Sequence, residues 1–145
     1  MFEHAHNIRK AYIDALAALQ VDAITVPVYD EFLRGTPPII REAKCYVIVR
    51  DQQSVEVTNT KCGQKQECFI TLDVVTVFPK NKGGKLLSEL ISNGILQLVN
   101  VFRGQLQIAG GYNVRTRKQL SVSIIEDTVI NSTFRNVLTF SNLIT

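Results

Sequence analysis

The sequence has few of the residues that build catalytic and metal-binding sites. It contains only two histidines, His4 and His6, and both lie near the N-terminus. Nucleophilic catalysis requires a base beside a serine or cysteine, and neither histidine is near one along the chain. The two histidines are also two positions apart, so they do not face one another on a helix. We therefore predict that the protein is not an enzyme and has no catalytic residues, bound metal or cofactor.

The three cysteines, Cys45, Cys62 and Cys68, do not form a metal-binding or disulfide pattern. Cys62 and Cys68 lack the CxxC spacing of zinc sites, although a hairpin could bring them together. The first residues lack the basic leader and apolar run of a signal peptide, and the most apolar stretch, 86–102, is interrupted by polar residues. We expect reduced thiols, no membrane contact and synthesis in the cytoplasm.

Two other motif-like patterns are incomplete. Gly83-Gly84-Lys85 precedes a helical stretch but lacks the GxxxxGK[ST] spacing of a phosphate-binding loop, which favours a plain helix start. The carboxylate pairs Asp30-Glu31 and Glu126-Asp127 are adjacent in sequence. Adjacent side chains in a strand point to opposite sides, so these pairs indicate exposed edges rather than an acid–base pair.

What the chain does have is enough apolar sequence for one folded domain. Its 145 residues are 46% hydrophobic and 20% charged, and a domain of this size buries roughly 68–70% of its unfolded surface. We predict a single domain over residues 1–145. The net charge of +3 permits contact with nucleic acid without requiring it, because strong binders usually carry a concentrated basic face.

The spacing of apolar residues predicts an α+β fold. Three- and four-residue steps predict helices at about 5–20 and 84–102. Residues of alternating polarity predict strands, the clearest of which is the one with Cys68 and Ile70. The predicted strands, in chain order, are Ile24–Tyr29, Ile39–Val49, Val55–Val57, Glu67–Val77, Leu120–Val129 and Phe134–Ile144, with the last two joined at Asn131-Ser132.

Three local features add detail to this prediction. Pro27 has no N–H to donate, so its strand should lie at an edge or be bulged. The stretch 45–49 is apolar on both faces, which indicates a central strand or one covered by a neighbouring subunit. Gly94 costs its helix about 1 kcal/mol relative to alanine, and a close backbone approach at that point would explain it.

Turn and loop sequences supply the candidate surfaces. Lys61–Lys65 is predicted to be a hairpin tip, and Arg103–Gln119 a polar loop with Gly110, Gly111 and Tyr112 at its middle. Two basic tracts accompany them: Lys80, Lys82 and Lys85 before the second helix, and Arg115, Arg117 and Lys118 in the loop. Each tract has two interpretations, as solvated charge that keeps the protein soluble or as a contact for phosphates or an acidic partner.

The order of elements resembles the tail-completion or tail-terminator family of tailed bacteriophages. The resemblance covers nearly the whole chain and rests on the following segments: helix Ile8–Leu19, strand Ile24–Tyr29, the break Thr36-Pro37-Pro38-Ile39-Ile40, strand Glu67–Val77, helix Lys85–Val99 and the hairpin Leu120–Glu126 with Phe134–Phe140. The chain departs from the family at Ile39, where an aromatic residue is often found, and in its long segments Asp51–Lys65 and Arg103–Gln119.

The resemblance implies a tail-terminator-like α+β fold, with a twisted, mainly antiparallel sheet or sandwich and two packing helices. It also implies a virion protein that forms a homo-oligomeric ring of six or twelve subunits in the tail or neck. Such a ring terminates or completes the tail, joins it to the head connector, and lets DNA pass through its lumen. Its partners are adjacent tail-tube, neck or connector rings, with transient non-specific DNA contact.

This interpretation assigns roles to the candidate surfaces. For the interface with other subunits or rings, the candidates are Pro27, Lys61, Gly63, Lys65, Gly110, Gly111 and Tyr112. For the basic lining of the lumen, the candidates are Lys80, Lys82, Lys85, Arg115, Arg117 and Lys118. The alternative is a small monomeric α+β binding module for a ligand, a peptide or non-specific nucleic acid. A stable monomer with an apolar groove, or with salt-dependent DNA affinity, would favour that alternative.

Overall fold

A computed structural model describes residues 5–30, 35–60, 63–80, 83, 85–99, 106, 108 and 114–145. The helices are α1 (Ala5–Ala15), which continues into a 3-10 turn (Leu16–Ala18), and α2 (Leu86–Val99). The strands are β1 (Gln20–Val21), β2 (Ile24–Thr25), β3 (Val28–Asp30), β4 (Ile39–Ile40), β5 (Ala43–Thr60), β6 (Gly63–Pro79), β7 (Val114–Asp127) and β8 (Asn131–Ile144).

Six of the strands form one open sheet in the order β3-β5-β6-β8-β7, with β4 paired to the start of β5. Every pairing is antiparallel except that of β3 with β5. The remaining strands, β1 and β2, form a separate hairpin. The predicted α+β fold with a mainly antiparallel sheet and two helices is therefore confirmed.

Both helices lie on the same face of this sheet. Cys45, Val47 and Val49 of β5 point to that face and are fully buried. The alternate residues of β6 from Cys68 to Val74 join them in one core with Leu16 of the 3-10 turn and other apolar residues of both helices. Alternation along a strand sends every second side chain to one face, so the period-two pattern predicted which residues would meet the helices.

Two tight hairpin turns are joined by an ion pair. Asp22 and Ala23 connect β1 to β2, and Arg41 and Glu42 connect β4 to β5, all four with positive φ. Two consecutive residues with positive φ are the signature of the type I′ turn, whose twist suits a two-residue hairpin. The Arg41 guanidinium donates to both carboxylate oxygens of Asp22 at 2.8 and 3.0 Å, which ties the two turns together.

The sequence predicts two separate strands on either side of the polar stretch around Asp51. In the structure this stretch is a bulge within one continuous strand, β5. The pairing of β5 with β6 shifts register between Val49 and Gln52. The guanidinium of Arg9, from α1, donates to the carbonyl oxygens of Val49 and Arg50, at 2.6 Å each. A bulge leaves backbone groups without ladder partners, and Arg9 satisfies two of them.

The prediction for Pro27 is confirmed, whereas the predicted backbone approach at Gly94 is wrong, because a side chain makes the close contact there. Pro27 interrupts the predicted strand 24–29 and directly precedes β3, which is an edge strand. Its carbonyl accepts a hydrogen bond from the Val47 N–H at 3.0 Å. A Cβ added to Gly94 would lie 3.0 Å from Cδ1 of Leu19, so α2 passes close to the segment after α1, with a side chain rather than backbone at the contact.

Several predicted boundaries are wrong. The helical region 5–20 is regular only to Ala15, and β8 begins at Asn131, so the last turn lies at 128–130. The loop predicted over Arg103–Gln119 ends early because β7 begins at Val114. The predicted hairpin tip is also shorter, since β6 begins at Gly63. Both errors have one cause: polar edge residues resemble loop sequence although their backbones are paired.

Candidate assembly surfaces

The structure separates the predicted interface residues. Pro27 is half-buried beside the edge strand β3. Gly63 and Lys65 belong to β6, where they pair with Thr60 and Thr58 near the tip of a long hairpin. The other candidates lie outside the described residues: Lys61, Gly110, Gly111 and Tyr112.

The basic residues do not form one patch. Lys80 follows β6 directly, and its N–H donates to the carbonyl of Ile130 in the β7–β8 turn. Arg115 instead pairs with Leu143 at the far end of β8, roughly 40 Å away at about 3.3 Å per residue. Arg115, Arg117 and Lys118 are exposed on β7 rather than in a loop, and Lys85 is exposed just before α2, while Lys82 lies outside the described residues.

Exposed apolar side chains are concentrated at one edge of the sheet. Among the described residues, ten large hydrophobic side chains are exposed, and six of them lie between positions 120 and 130. These six are Leu120, Val122, Ile124, Ile125, Val129 and Ile130. The extremes are Val129 at 95% and Ile130 at 74%, both in the β7–β8 turn. We call this set the β7 apolar surface.

The β7 apolar surface exists because β7 is the last described strand of the sheet. It pairs with β8 on one side, and nothing in the described part of the chain pairs with its other side. Both faces of its second half are exposed, Ile124 at 40% and Ile125 at 56%, although adjacent strand residues point to opposite faces. A long apolar edge strand is prone to pair with another chain unless it is covered.

Charge is distributed asymmetrically along β7. Its first half carries Arg115, Arg117 and Lys118, and its end carries Glu126 and Asp127. The apolar residues Leu120, Val122, Ile124 and Ile125 lie between these groups. The strand therefore has a basic half, an apolar centre and an acidic end.

A buried carboxylate ties four strands together on the sheet face opposite the helices. Asp73 of β6 has a fully buried side chain and accepts hydrogen bonds from Arg50 of β5 at 3.1 Å and from Arg135 of β8. Arg135 also contacts Glu126 of β7 at 3.4 Å, and its hydrogen bond with Asp73 raises the pKa of its guanidinium. Nearby Tyr46 has a raised pKa, mainly because it is partly buried.

Asp73 was not among the carboxylates selected from the sequence. Its partners Arg50 and Arg135 are 23 and 62 residues away along the chain, so no local motif marks it. The available signal was a single acidic residue inside the apolar alternation of β6. Two guanidinium groups already occupy its oxygens, so the arrangement holds strands in place rather than offering a free base.

Two asparagines anchor the helices on the covered face. The Tyr12 hydroxyl of α1 and the Thr116 hydroxyl donate to Oδ1 of Asn142 at 2.7 and 2.9 Å, and Asn142 Nδ2 donates to the Cys68 carbonyl at 3.1 Å. Burial raises the pKa of Tyr12. Asn136 similarly donates to Ser92 of α2 at 2.7 Å. A buried network with satisfied partners fixes the packing of these elements.

The described residues hold no cluster of metal-ligating side chains, and the thiols among them are buried. None of their histidine, cysteine and acidic side chains cluster in threes, as a metal site would need. Burial raises the pKa of the Cys45 thiol to about 11, which disfavours its nucleophilic thiolate form. Cys68 is buried in the core and Cys62 lies outside the described residues. In the described part of the chain, no helix is long and apolar enough to cross a membrane.

One small pocket lies between α1 and β3. It has a volume of about 200 Å³ and is lined by His6, Arg9, Lys10, Ile13 and Asp30. Ligand pockets are typically 300–1,000 Å³, and Arg9 is already engaged with Asp30. This pocket therefore gives little support to a ligand-binding function.

The comparisons with known proteins add no identification. No family model matches the chain, and no curated protein matches it. One solved protein structure is similar over 94% of this chain and 91% of the other, with 16% sequence identity and a TM-score of 0.49. A likeness at that level bears on neither function nor relationship. The resemblance to tail-terminator proteins therefore stays a prediction from the sequence.

Proposed function

We propose that the protein is a structural subunit of a bacteriophage virion. In this role, several copies form a ring in the neck or at the head-proximal end of the tail. The ring terminates or completes the tail and joins it to the head connector, with DNA passing through its lumen. Its partners are copies of itself and the adjacent tail-tube, neck or connector rings, and its location is the virion.

The observation that carries this proposal is the β7 apolar surface. Monomeric proteins scatter their exposed hydrophobic residues, whereas a contiguous patch marks a surface that associates. Here most of the exposed large hydrophobic residues of the described chain lie on one edge strand and its turn. The described residues also lack a metal cluster, and their described pocket is small. The protein thus offers more to an assembly than to a small ligand.

Ring formation also suits the open sheet. A contact between unlike surfaces of neighbouring copies closes into a ring when the rotation between copies divides a full turn. The sheet has two different edges, β3 and β7, and a face that lacks helices in the described structure. Exposed basic residues at both ends of the sheet are compatible with transient, non-specific contact with DNA phosphates.

The test is the native mass of the purified protein over a concentration series, with electron microscopy of the large species. We expect a closed ring of six or twelve copies, formed alone or when tail tubes are added. A variant with Val122→Thr and Ile124→Thr keeps the β-branched shape and removes apolar surface, so it should assemble less while unfolding at a similar temperature. A protein that stays monomeric with and without tail tubes would contradict the proposal and favour the binding module.

A further inference from the structure

We propose that β7 pairs antiparallel with β7 of a second copy across a twofold axis. The two six-stranded sheets would then form one continuous sheet, with the unpaired edges covered by each other. This inference does not rest on the proposed function, because a twofold contact needs only two copies of the chain. In this arrangement, the partner of the β7 edge is β7 of another copy of the same protein.

The edge of β7 that has no partner among the described residues is long enough for such a contact. β7 has 14 residues, whereas strands in globular proteins usually have five or six. Its pairing with β8 extends from Val114 to Asp127, with one irregularity between Lys118 and Leu120. The backbone is therefore already extended over this length, and little further ordering is required when a second strand binds.

The charges on β7 select the antiparallel arrangement. An antiparallel partner places the basic half of each strand, with Arg115 and Arg117, against the acidic end of the other, with Glu126 and Asp127. A parallel partner would place like charges side by side, and directly opposed like charges destabilise a strand pair. These side chains are exposed, and Glu126, which also contacts Arg135, keeps 54% of its side chain accessible to a second molecule.

The apolar residues at the centre of β7 lie near the twofold axis of this strand pair. If Arg115 opposes Glu126, the extra residue at the irregularity between Lys118 and Leu120 enters the count, and the twofold axis passes at Ser121. Leu120, which is 55% exposed, then opposes the exposed Val122 of the second copy on either side of the axis. Burying apolar surface contributes roughly 25 cal/mol per Å², so the centre supplies the attraction and the charged ends set the direction.

The opposite edge of the sheet is a poorer partner. β3 has three residues, so continuing the sheet from β7 to β3 of another copy would leave most of β7 unpaired. A twofold contact is complete with two molecules, whereas a contact between unlike edges continues until a ring closes. The twofold pair occupies the β7 edge completely, so a ring that contains it closes through other surfaces of the subunit.

Charge exchange tests the arrangement. One variant carries Arg115→Glu and Arg117→Glu, which makes β7 acidic at both ends, and the other carries Glu126→Lys and Asp127→Lys, which makes it basic. Analytical ultracentrifugation should show that each variant alone dimerises at least about tenfold more weakly than the unmodified protein, because like charges now oppose. An equimolar mixture should recover dimers that contain one copy of each variant.

The matched control is Lys44→Glu with Lys85→Glu, which changes the charge by the same amount at exposed positions away from β7 and should leave dimerisation unchanged. Thermal unfolding checks that each variant is folded. Variants that dimerise as the unmodified protein does, or a mixture that fails to recover dimers, would overturn the proposal. A ring observed without any twofold pair would overturn this inference while supporting the proposed function.

A cross-link gives a second test that requires little change to the fold. An equimolar mixture of Leu120→Cys and Val122→Cys places thiols on exposed positions that directly oppose each other, so mild oxidation should join one copy of each variant. A mixture of Leu120→Cys with Leu86→Cys, at a 73% exposed position on α2, is the control and should give no more dimer than the unmodified protein. Equal cross-linking of the two mixtures would overturn the twofold arrangement.

Discussion

β6 and β7 belong to the same sheet and differ in how their apolar residues are covered. β6 lies between β5 and β8, and its residues Ile70, Leu72 and Val74 are fully buried under the helices. β7 lies at the edge, and its Leu120 and Ile125 are more than half exposed. Apolar residues that alternate along a strand therefore have two different roles in this protein. Those of β6 complete the subunit, and those of β7 are available to another molecule.

The largest expected difference between the two strands is in the loss of stability when one leucine in each is truncated to alanine. Leu72→Ala removes a fully buried side chain and should lower the free energy of unfolding by about 2–5 kcal/mol. Leu120→Ala removes an exposed one and should change the stability of the monomer by less than about 0.5 kcal/mol. Chemical denaturation of both variants at low protein concentration measures the difference. Similar losses for both would show that β7 is part of the subunit core.

A second change tests the close packing of the helices that cover β6. Gly94→Leu would push a side chain against Leu19, whose Cδ1 lies 3.0 Å from the position of an added Cβ. Leu19 is almost completely buried and has little room to move, so overpacking should cost roughly 1–3 kcal/mol. The measurement is the midpoint of thermal unfolding. Unchanged stability would mean that α2 does not approach Leu19.

A third change tests the polar anchor on the same face. Tyr12→Phe removes the 2.7 Å hydrogen bond to Asn142 and should cost about 1 kcal/mol. Thr116→Val removes the other hydroxyl that donates to the same oxygen. Because the two hydroxyls share an acceptor, the double variant should depart from the sum of the single ones. Strict additivity in denaturant unfolding would contradict a shared network.

The smallest expected effect concerns a charged contact outside both regions. The hydrogen bond from Arg41 lowers the pKa of Asp22 from its ordinary value near 3.8. A lowered folded-state pKa contributes stability above the unfolded pKa, and this is lost as the pH falls through the folded value. Asp22→Asn should therefore be slightly less stable than the unmodified protein at pH 7, with the difference vanishing in strong acid. Unfolding curves at several pH values below 5 would detect a difference that persists.

The sequence predicted the strands whose pattern of apolar residues records their burial. The strict alternation around Ile70 identified β6, and the two apolar faces of residues 45–49 indicated a central strand or one covered by a neighbouring subunit, of which the structure shows the first. Pro27 indicated an edge or a bulge, because a residue without an N–H does not fit inside a ladder. Local chemistry was sufficient in these places.

The sequence did not predict features that depend on distant partners. The first half of β7 resembled a loop because Arg115, Arg117 and Lys118 are exposed, although Val114 before them and Thr116 among them are buried. Asp73 lacked any local sign of the arginines that hold it. The sequence also did not predict that the β7 apolar surface is exposed, because Leu120 and Ile124 have the same spacing as core residues. Only the position of the strand at the sheet edge distinguishes them.

The central claim is that association covers the free edge of β7. Hydrogen exchange of the backbone amides, measured at increasing protein concentration, tests it most directly because β6 serves as an internal reference. We predict that exchange in β7 slows over the concentration range in which the native mass rises, while exchange in β6 stays constant. Exchange in β7 that does not change as the protein associates would contradict the claim.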